Sequence, residues 1–344
     1  MKELGRRFIR NLRYFCLTGV IALGFMSIVG TTATTDDTTT EDTEPSILYV
    51  PSEYSTIKRA IYAAEEGDTI EIAAGTYNEQ NLAVFGGLTI EGENAETTII
   101  RGLGDDDIIK DSPYSDTTKA IVMKKLTMEN GDNGIHLENH ILELSDCIVR
   151  NNKSSAIYLY ESVATISKCE IAGNSGDGVH GGTVTISNSV IKGNTSDGIH
   201  GPHGTITNTV IANNTEDGID CDKLDVSYCT IYGNDDGIWA LDSSGTVRNS
   251  IIAMNTGYGI FEHDSALSLT NIDFYANSKC NWEAGFVCHE DSASYNAIDS
   301  ILTDPMFVDA PNGNFRLQEG SPALTAGDTG GEIGAYGNEG NPPD

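Results

Sequence analysis

One spacing governs what this chain can become. A glycine followed by a branched aliphatic recurs at Gly134-Ile135, Gly178-Val179, Gly198-Ile199, Gly218-Ile219, Gly237-Ile238 and Gly259-Ile260, with Ala156-Ile157 in the same register. The intervals are 22, 22, 20, 20, 19 and 22 residues. An asparagine column keeps step at Asn130, Asn152, Asn174, Asn194, Asn214, Asn234, Asn255 and Asn277. A third column carries ISNSVI, ITNTVI and VRNSII, with SDCIV, SKCEI and SYCTI as variants. A period near 20 is too short for the helical repeats, which need more than about 30 residues. Leucine-rich repeats can have this length, but their leucine framework is missing here. The pattern therefore predicts an all-β solenoid, a single-chain parallel β-helix of about 20–22 residues per rung. Each rung supplies short strands that stack on their equivalents in the next. Strand alternation places Ile135, Ile157, Val179, Ile199, Ile219, Ile238 and Ile260 in one inward aliphatic stack. Asparagine suits the turn column because it tolerates left-handed backbone and its amide can bond the amide above.

The ends of such an array need covers, since an end rung exposes both core and unpaired strand edge. Residues 55–64, STIKRAIYAA, read as a short amphipathic helix with Ser55 as its N-cap, placed to cover the first rung. Two stretches resemble a known family. Residues 54–79, YSTIKRAIYAAEEGDTIEIAAGTYNE, look like the entry segment of pectin lyase-like right-handed β-helix proteins. Residues 304–328, DPMFVDAPNGNFRLQEGSPALTAGD, with GEIGAYG at 331–337, look like the closing segment of its secreted members. The resemblance spans roughly residues 46–337 and implies a right-handed coil with N- and C-terminal caps. It implies polysaccharide as the partner class. It does not choose among the lyases, hydrolases, epimerases, depolymerases and surface proteins that share the fold.

The flanks are of another kind. Lys2, Arg6, Arg7, Arg10 and Arg13 precede an apolar run from Phe15 to Val29, and Thr31-Thr32-Ala33 offers a cleavage site. Residues 1–33 thus read as a secretory signal peptide, with an uncleaved anchor as the alternative, because the apolar run is short for a membrane span. Residues 34–45, TTDDTTTEDTEP, read as a disordered acidic linker, and 338–344 as a disordered tail. The expected location is secreted, extracellular or cell-surface, with no membrane insertion once the signal is removed. The chain carries 51 acidic and 20 basic residues, a net charge of −31. That surface repels nucleic acid and anionic membrane. An exported chain favours a disulfide between Cys280 and Cys288 in a polar insertion. Cys147, Cys169, Cys221 and Cys229 are either small buried residues or further pairs.

Candidate chemistry lies just after the inward aliphatics. The next residue points outward and forms the column His136, Tyr158, His180, His200, Asp220, Trp239 and Phe261, about 4.8 Å apart. Here His180 and His200 are candidate acid–base groups. Tyr158, Trp239 and Phe261 are candidate sugar platforms. Just before the glycines stand Asp177, Asp197, Asp217 and Asp236. A stack of carboxylates either raises its own pKa values or collects a cation, for which calcium is the best fit to rigid oxygen ligands. Asp-Gly is equally a common turn pair whose carboxylate accepts backbone N–H bonds. Asp197, Asp217 and Asp220 are the candidate catalytic carboxylates. Two functions follow: a carbohydrate-binding β-helix of the cell surface or medium, or a polysaccharide lyase or glycoside hydrolase working through the His and Asp columns. The absence of the family's usual catalytic motifs favours the first. GHG is replaced by PHG at 202–204, Asp-Pro-His is absent, and no lysine or arginine falls in the outward column of the central rungs.

Overall fold

A computed structural model describes residues 44–344 apart from 114, 285–286, 290–296, 338–341 and 344. The expected signal peptide, nearly all of the linker and most of the tail lie outside the described residues. The rest is a parallel β-solenoid of about 11 turns with one α-helix near its start. Three sheets run along the axis. The first contains Ile135–Glu138, the second Ile141–Ser145 and the third Ile148–Arg150, each paired in parallel with its equivalents one turn before and after. In the central turns the first two sheets join without a loop. Ile157–Ser167, Val179–Ser187, Ile199–Thr207 and Ile219–Ser227 each bend through the corner as one strand. No helix among the described residues is long and apolar enough to cross a membrane.

The observed register is the one the repeat dictates. Ile135, Ile157, Val179, Ile199, Ile219, Ile238 and Ile260 are successive partners, all fully buried. Each fully buried Ile contributes roughly 1.5–3 kcal/mol relative to an exposed one. Beside this stack runs an amide ladder. Asn174 Nδ2 donates to Asn194 Oδ1 at 2.9 Å, Asn194 to Asn214 at 3.0 Å, and Asn214 to Asn234 at 3.0 Å. Each Oδ1 also accepts the backbone N–H of the asparagine one turn earlier, as from Asn194 to Asn214 at 3.1 Å. The glycine of the repeat follows from this ladder. A Cβ at Gly198 would stand 2.6 Å from the Gly218 carbonyl and 2.9 Å from Asn214 Nδ2.

The two roles expected of asparagine are divided between columns. The ladder asparagines from Asn152 to Asn277 bond amides. Asn130, expected in the ladder, aligns with Asn151 and is left-handed, while Gly131 takes the ladder position and donates to Asn152. The left-handed turns fall instead to Asn151 and Asn213, just before the ladder position, and to Asn188, Asn208 and Asn249 at the corner between second and third sheets. The residue after that corner donates to the carbonyl two positions back: Ser189 and Thr209 at 2.8 Å, Cys229 at 3.4 Å, Cys147 at 3.3 Å and Cys169 at 3.2 Å. These three cysteines thus stand in for serine and threonine in a hydrogen-bonded column. With Cys221 they are buried free thiols, while Cys280 and Cys288 form a disulfide. Burial pushes the Cys221 and Cys229 thiols up to about 12, which leaves them unreactive.

Two end features depart from expectation. The helix is Ile57–Ala63 and its N-cap is Thr56, not Ser55; Thr56 Oγ1 accepts the Arg59 N–H at 3.2 Å. Glu79 supplies the second cap, accepting from the Ile57 and Lys58 amides at 2.8 and 2.9 Å. The closing segment is lateral. Phe307, Phe315, Ala323, Ile333 and Ala335 pack on the outer face of the third sheet, against Val190, Val210, Ala212, Ile251 and Ala253. Those outward positions are apolar because a second layer covers them, whereas the outward column of the first sheet has no such layer.

The ladder makes a direct prediction. Asn214→Ala leaves the buried Asn194 backbone N–H and side-chain amide without their acceptor, at a cost of about 1–3 kcal/mol. The urea unfolding midpoint should fall accordingly; an unchanged midpoint would show that the ladder does not carry stability.

Candidate functional site

The outward column is a stack of rings broken at one rung. Tyr158 stacks on His180 with centroids 4.9 Å apart and planes 8° from parallel, and His180 stacks on His200 at 5.1 Å and 6°. Beyond Asp220, Trp239 stacks on Phe261 at 4.0 Å and 13°. The register pairs His200 with Asp220 and Asp220 with Trp239. The exposed imidazole face of His200 and the indole face of Trp239 are therefore two rungs apart, about 10 Å, across the short Asp220 side chain. A ring lying between two others needs about 7–8 Å, at 3.5–4.0 Å per contact. The Asp220 rung is thus a notch in the ring stack, a gap of about one ring in which the Asp220 carboxyl stands 3.4 Å from His200 Nδ1.

This geometry separates the three expected platforms. Tyr158 has His180 on one face and the edge of His136 against it at 4.8 Å. Phe261 is wedged among Trp239, Tyr258 and His263. Only Trp239 turns a face to the notch.

The aspartate column has two jobs, one per oxygen. Asp177 Oδ1 accepts the Asp197 N–H at 3.0 Å, Asp197 Oδ1 the Asp217 N–H at 2.8 Å, and Asp217 Oδ1 the Asp236 N–H at 3.2 Å. Asn133 holds the same place earlier in the ladder, accepting from Ser155 at 3.0 Å. The second oxygen meets the histidine three residues on. Asp177 Oδ2 lies 2.6 Å from His180 Nδ1, and Asp197 Oδ2 lies 3.1 Å from His200 Nδ1. An Asp107–His136 pair at 2.8 Å extends the series across a rung. Sequence reading assigned aspartates and histidines to separate roles; their spacing of three in DGVH and DGIH was the available signal for these pairs.

In the third repeat the histidine is replaced. Asp217 is followed three residues later by Asp220, so its second oxygen has a carboxyl for a neighbour. Burial, and then the charges of Asp197, Asp236 and Asp220, push the Asp217 carboxyl up to about 8. Asp220 is raised as well, chiefly by burial, with the His200 charge acting against this. The hydrogen bond to Asp197, opposed by burial and reinforced by the Asp220 charge, pushes His200 up to about 9. His200 Nδ1 is also 3.4 Å from Asp220 Oδ2. At neutral pH the notch thus holds a charged imidazolium and the protonated carboxyl of Asp217, beside an Asp220 carboxyl that is itself raised. Burial works to raise Asp177, but bonds from His180, Ser196 and the Asp197 amide hold it below its ordinary value.

Asp177, Asp197, Asp217 and Asp236 do not converge as a calcium cage. One oxygen of each is spent on a backbone amide, and Asp177 and Asp197 spend the other on imidazole. Among the described residues one set of three donors comes together: Asp197, His200 and Asp220, with ligand atoms within 4.8 Å of one another. Two oxygens and an imidazole nitrogen do not fit calcium, which takes six to eight oxygens.

The sequence matches the family model described as "Right handed beta helix region" over residues 114–225 and 164–300, together more than half of the chain. No curated protein matches it. Among solved structures, it is similar to the A-module of mannuronan C-5 epimerase AlgE6 of Azotobacter vinelandii, at 14% identity, 71% coverage of this chain, 78% of that chain and a TM-score of 0.41. It is also similar to a Family 28 exopolygalacturonase of Yersinia enterocolitica, at 14% identity, coverages of 70% and 63%, and a TM-score of 0.47. Pectate lyase Pel9A shares 12% identity, with coverages of 86% and 96% and a TM-score of 0.46. At such identities the likeness concerns the fold alone.

The elevated Asp217 pKa has a signed consequence. A carboxyl raised on folding binds a proton in the folded state that the unfolded state has lost. Stability then falls as pH rises from the unfolded value near 4 to the folded value near 8. Asp217→Asn keeps the oxygen that accepts from Asp236 and removes the ionisation. The variant's urea midpoint, relative to the parent, should be level below pH 4, climb between 4 and 8, and level again above. A flat difference would show Asp217 ionised throughout.

Proposed function

The chain belongs to the right-handed β-helix family, and on that premise we propose that it binds polysaccharide along the outer face of its first sheet, with the notch at Asp220 as the central subsite. The observation that carries this reading is the interrupted ring stack. A pyranose entering between His200 and Trp239 lays its C–H face on the indole, a large apolar surface with fixed geometry. Asp220 and the outward Nε2 of charged His200 then serve as hydroxyl partners. The face is accessible because the corner between first and second sheets carries no loop in the central turns. The N-terminal signal-like segment supports export, placing the protein in the medium or at the cell surface with a glycan as partner.

A second reading, polysaccharide cleavage by a lyase or hydrolase, draws on the charge states of the same site. A carboxyl protonated near pH 7 at Asp217 offers the acid that general acid–base catalysis requires, with Asp220, held beside the His200 charge, as the proposed base. His200 would then orient or neutralise the reacting sugar, with His180 behind it in the stack.

A panel of neutral, acidic and amino polysaccharides, with and without calcium and read for both retention and product release, tests both. Trp239→Ala should lower affinity at least tenfold, the scale of losing one buried aromatic anchor; unchanged binding would move the site elsewhere. Release of oligosaccharide that is lost in both His200→Ala and Asp220→Ala would establish catalysis. Retention without release establishes the binding role.

A further inference from the structure

The chain reverses direction at a buried carboxyl. Residues 300–303 add a last partial turn to the third sheet: the Ile301 N–H donates to the Ile272 carbonyl at 2.8 Å, and the Phe274 N–H to the Ile301 carbonyl at 3.1 Å. The chain then runs back along the outer face of that sheet as the closing segment. Asp273 stands at the turning point, outward on the strand Ala266–Tyr275, since its neighbour Phe274 is in the core. It has no exposed surface. Its Oδ1 accepts the Thr303 N–H at 3.1 Å, and its buried Oδ2 has no hydrogen-bond partner. Such a carboxyl is costly to ionise. Burial pushes it up to about 7, against the Thr303 bond and with the Asp304 charge. The elements packed around it bring little else that titrates. The strand below sets Ile251 opposite Asp273, with Ser250 and Ile252 on either side. Tyr275 follows outward on its own strand. Ile333 of the closing segment packs on Ile251, beside Glu332, whose carboxyl burial also raises. Asp304 is the charge that acts on Asp273.

We infer that the closing segment is a pH-governed strap hinged at Asp273, docked on the third sheet at acidic pH and loosened as that carboxyl ionises. Beyond its apolar contacts, the strap is tied to the coil by few bonds. Asn271 Nδ2 donates to the Ala326 carbonyl at 2.9 Å, and the Asp328 and Gly334 N–H groups donate to Asn249 at 3.1 and 2.9 Å. The Ala335 N–H donates to Thr230 Oγ1 at 3.1 Å. With the strap released, Asp273 regains water and an ordinary carboxyl pKa near 4. Docked, it keeps its proton up to about 7. Docking is therefore at full strength below about pH 4, weakens between about 4 and 7, and is level above. Glu332 acts in the same direction. Release bares the outward apolar residues Val190, Val210, Ala212, Ile251 and Ala253 and leaves the coil's own pairing intact.

The test is hydrogen exchange of the intact chain, read by mass spectrometry across this pH range with the intrinsic exchange rates divided out. The amides of Gly334 and Ala335, bonded to Asn249 and Thr230, report docking, and those of Val179–Ser187 report the coil. The opening constant at 334–335 should rise at least about tenfold between pH 4 and 7 and then level, while the coil amides change less. Asp273→Asn keeps an oxygen for the Thr303 N–H, cannot ionise, and should remove most of the rise. Asp304→Asn keeps the acceptor for the Met306 N–H, removes the neighbouring charge, and should move the end of the rise to lower pH. That second variant decides the matter if the first does not fold. A flat profile at 334–335, a full rise in the Asp273 variant, an unmoved end point in the Asp304 variant, or coil amides opening in step with the strap would overturn the inference.

Discussion

The rest of the structure depends on superposition of one turn upon the next. Parallel strands stack at about 4.8 Å, and here that spacing is enforced by buried amides as well as backbone. Asn194 and Asn214, buried with almost no exposure, each receive both an amide and a backbone N–H from the turn before. Leaving buried polar groups of this kind unsatisfied costs about 1–3 kcal/mol each, a sizeable fraction of a total stability of about 5–15 kcal/mol. A turn displaced along or around the axis would break several such bonds at once. The glycine column enforces the same register by sterics, because there is no room for a Cβ between successive turns.

Superposition also creates the chemistry. A side chain that would be solitary on an ordinary sheet is here forced against its equivalents, so residue type repeats become stacks. Flat rings respond by stacking face to face, as Tyr158, His180 and His200 do. Carboxylates cannot do this while charged. The aspartate column therefore survives by assigning one oxygen to a backbone donor and the other to an imidazole. The stability of the stack and the protonation states of its members are one problem.

What the sequence shows and what it hides follow from the same logic. Residues whose role is set by period were legible: the inward aliphatics, the outward His–Asp–Trp column and the amide ladder from Asn152 on stand at the positions their spacing required, and Asn130 alone falls one place out of the ladder. Roles set by contacts outside the period were not. Thr56 rather than Ser55 caps the helix, with help from Glu79, distant in sequence. The closing segment lies along the third sheet instead of stacking in series, although the apolar outward residues Val190, Val210 and Ile251 were a sign that something covers them. Tyr158 and Phe261 looked like platforms because ring type is visible in sequence, while the face a ring has left free is not. The cysteines illustrate an intermediate case. Their alignment with Ser189, Thr209 and Ser250 identifies the column, and only the geometry shows that the column's function is to donate to a nearby carbonyl.

In a repeating structure, the informative residue is the one that departs from its column. The repeats run DGVH, DGIH, DGID and DGIW. In the first two, a histidine satisfies the aspartate three residues earlier. In the third, the ladder oxygen of Asp217 is retained and its imidazole partner is withdrawn, so the carboxyl must stay neutral or find another cation. An amide side chain at that position could have donated to the second oxygen of Asp217, and a third ring would have continued the stack. Aspartate does neither. It opens a gap between two rings and places two carboxyls at the bottom of it, a local conflict in an otherwise self-consistent array. Such conflicts mark the place where a fold gives up stability for function, and here the departure from the column coincides with the break in the ring stack.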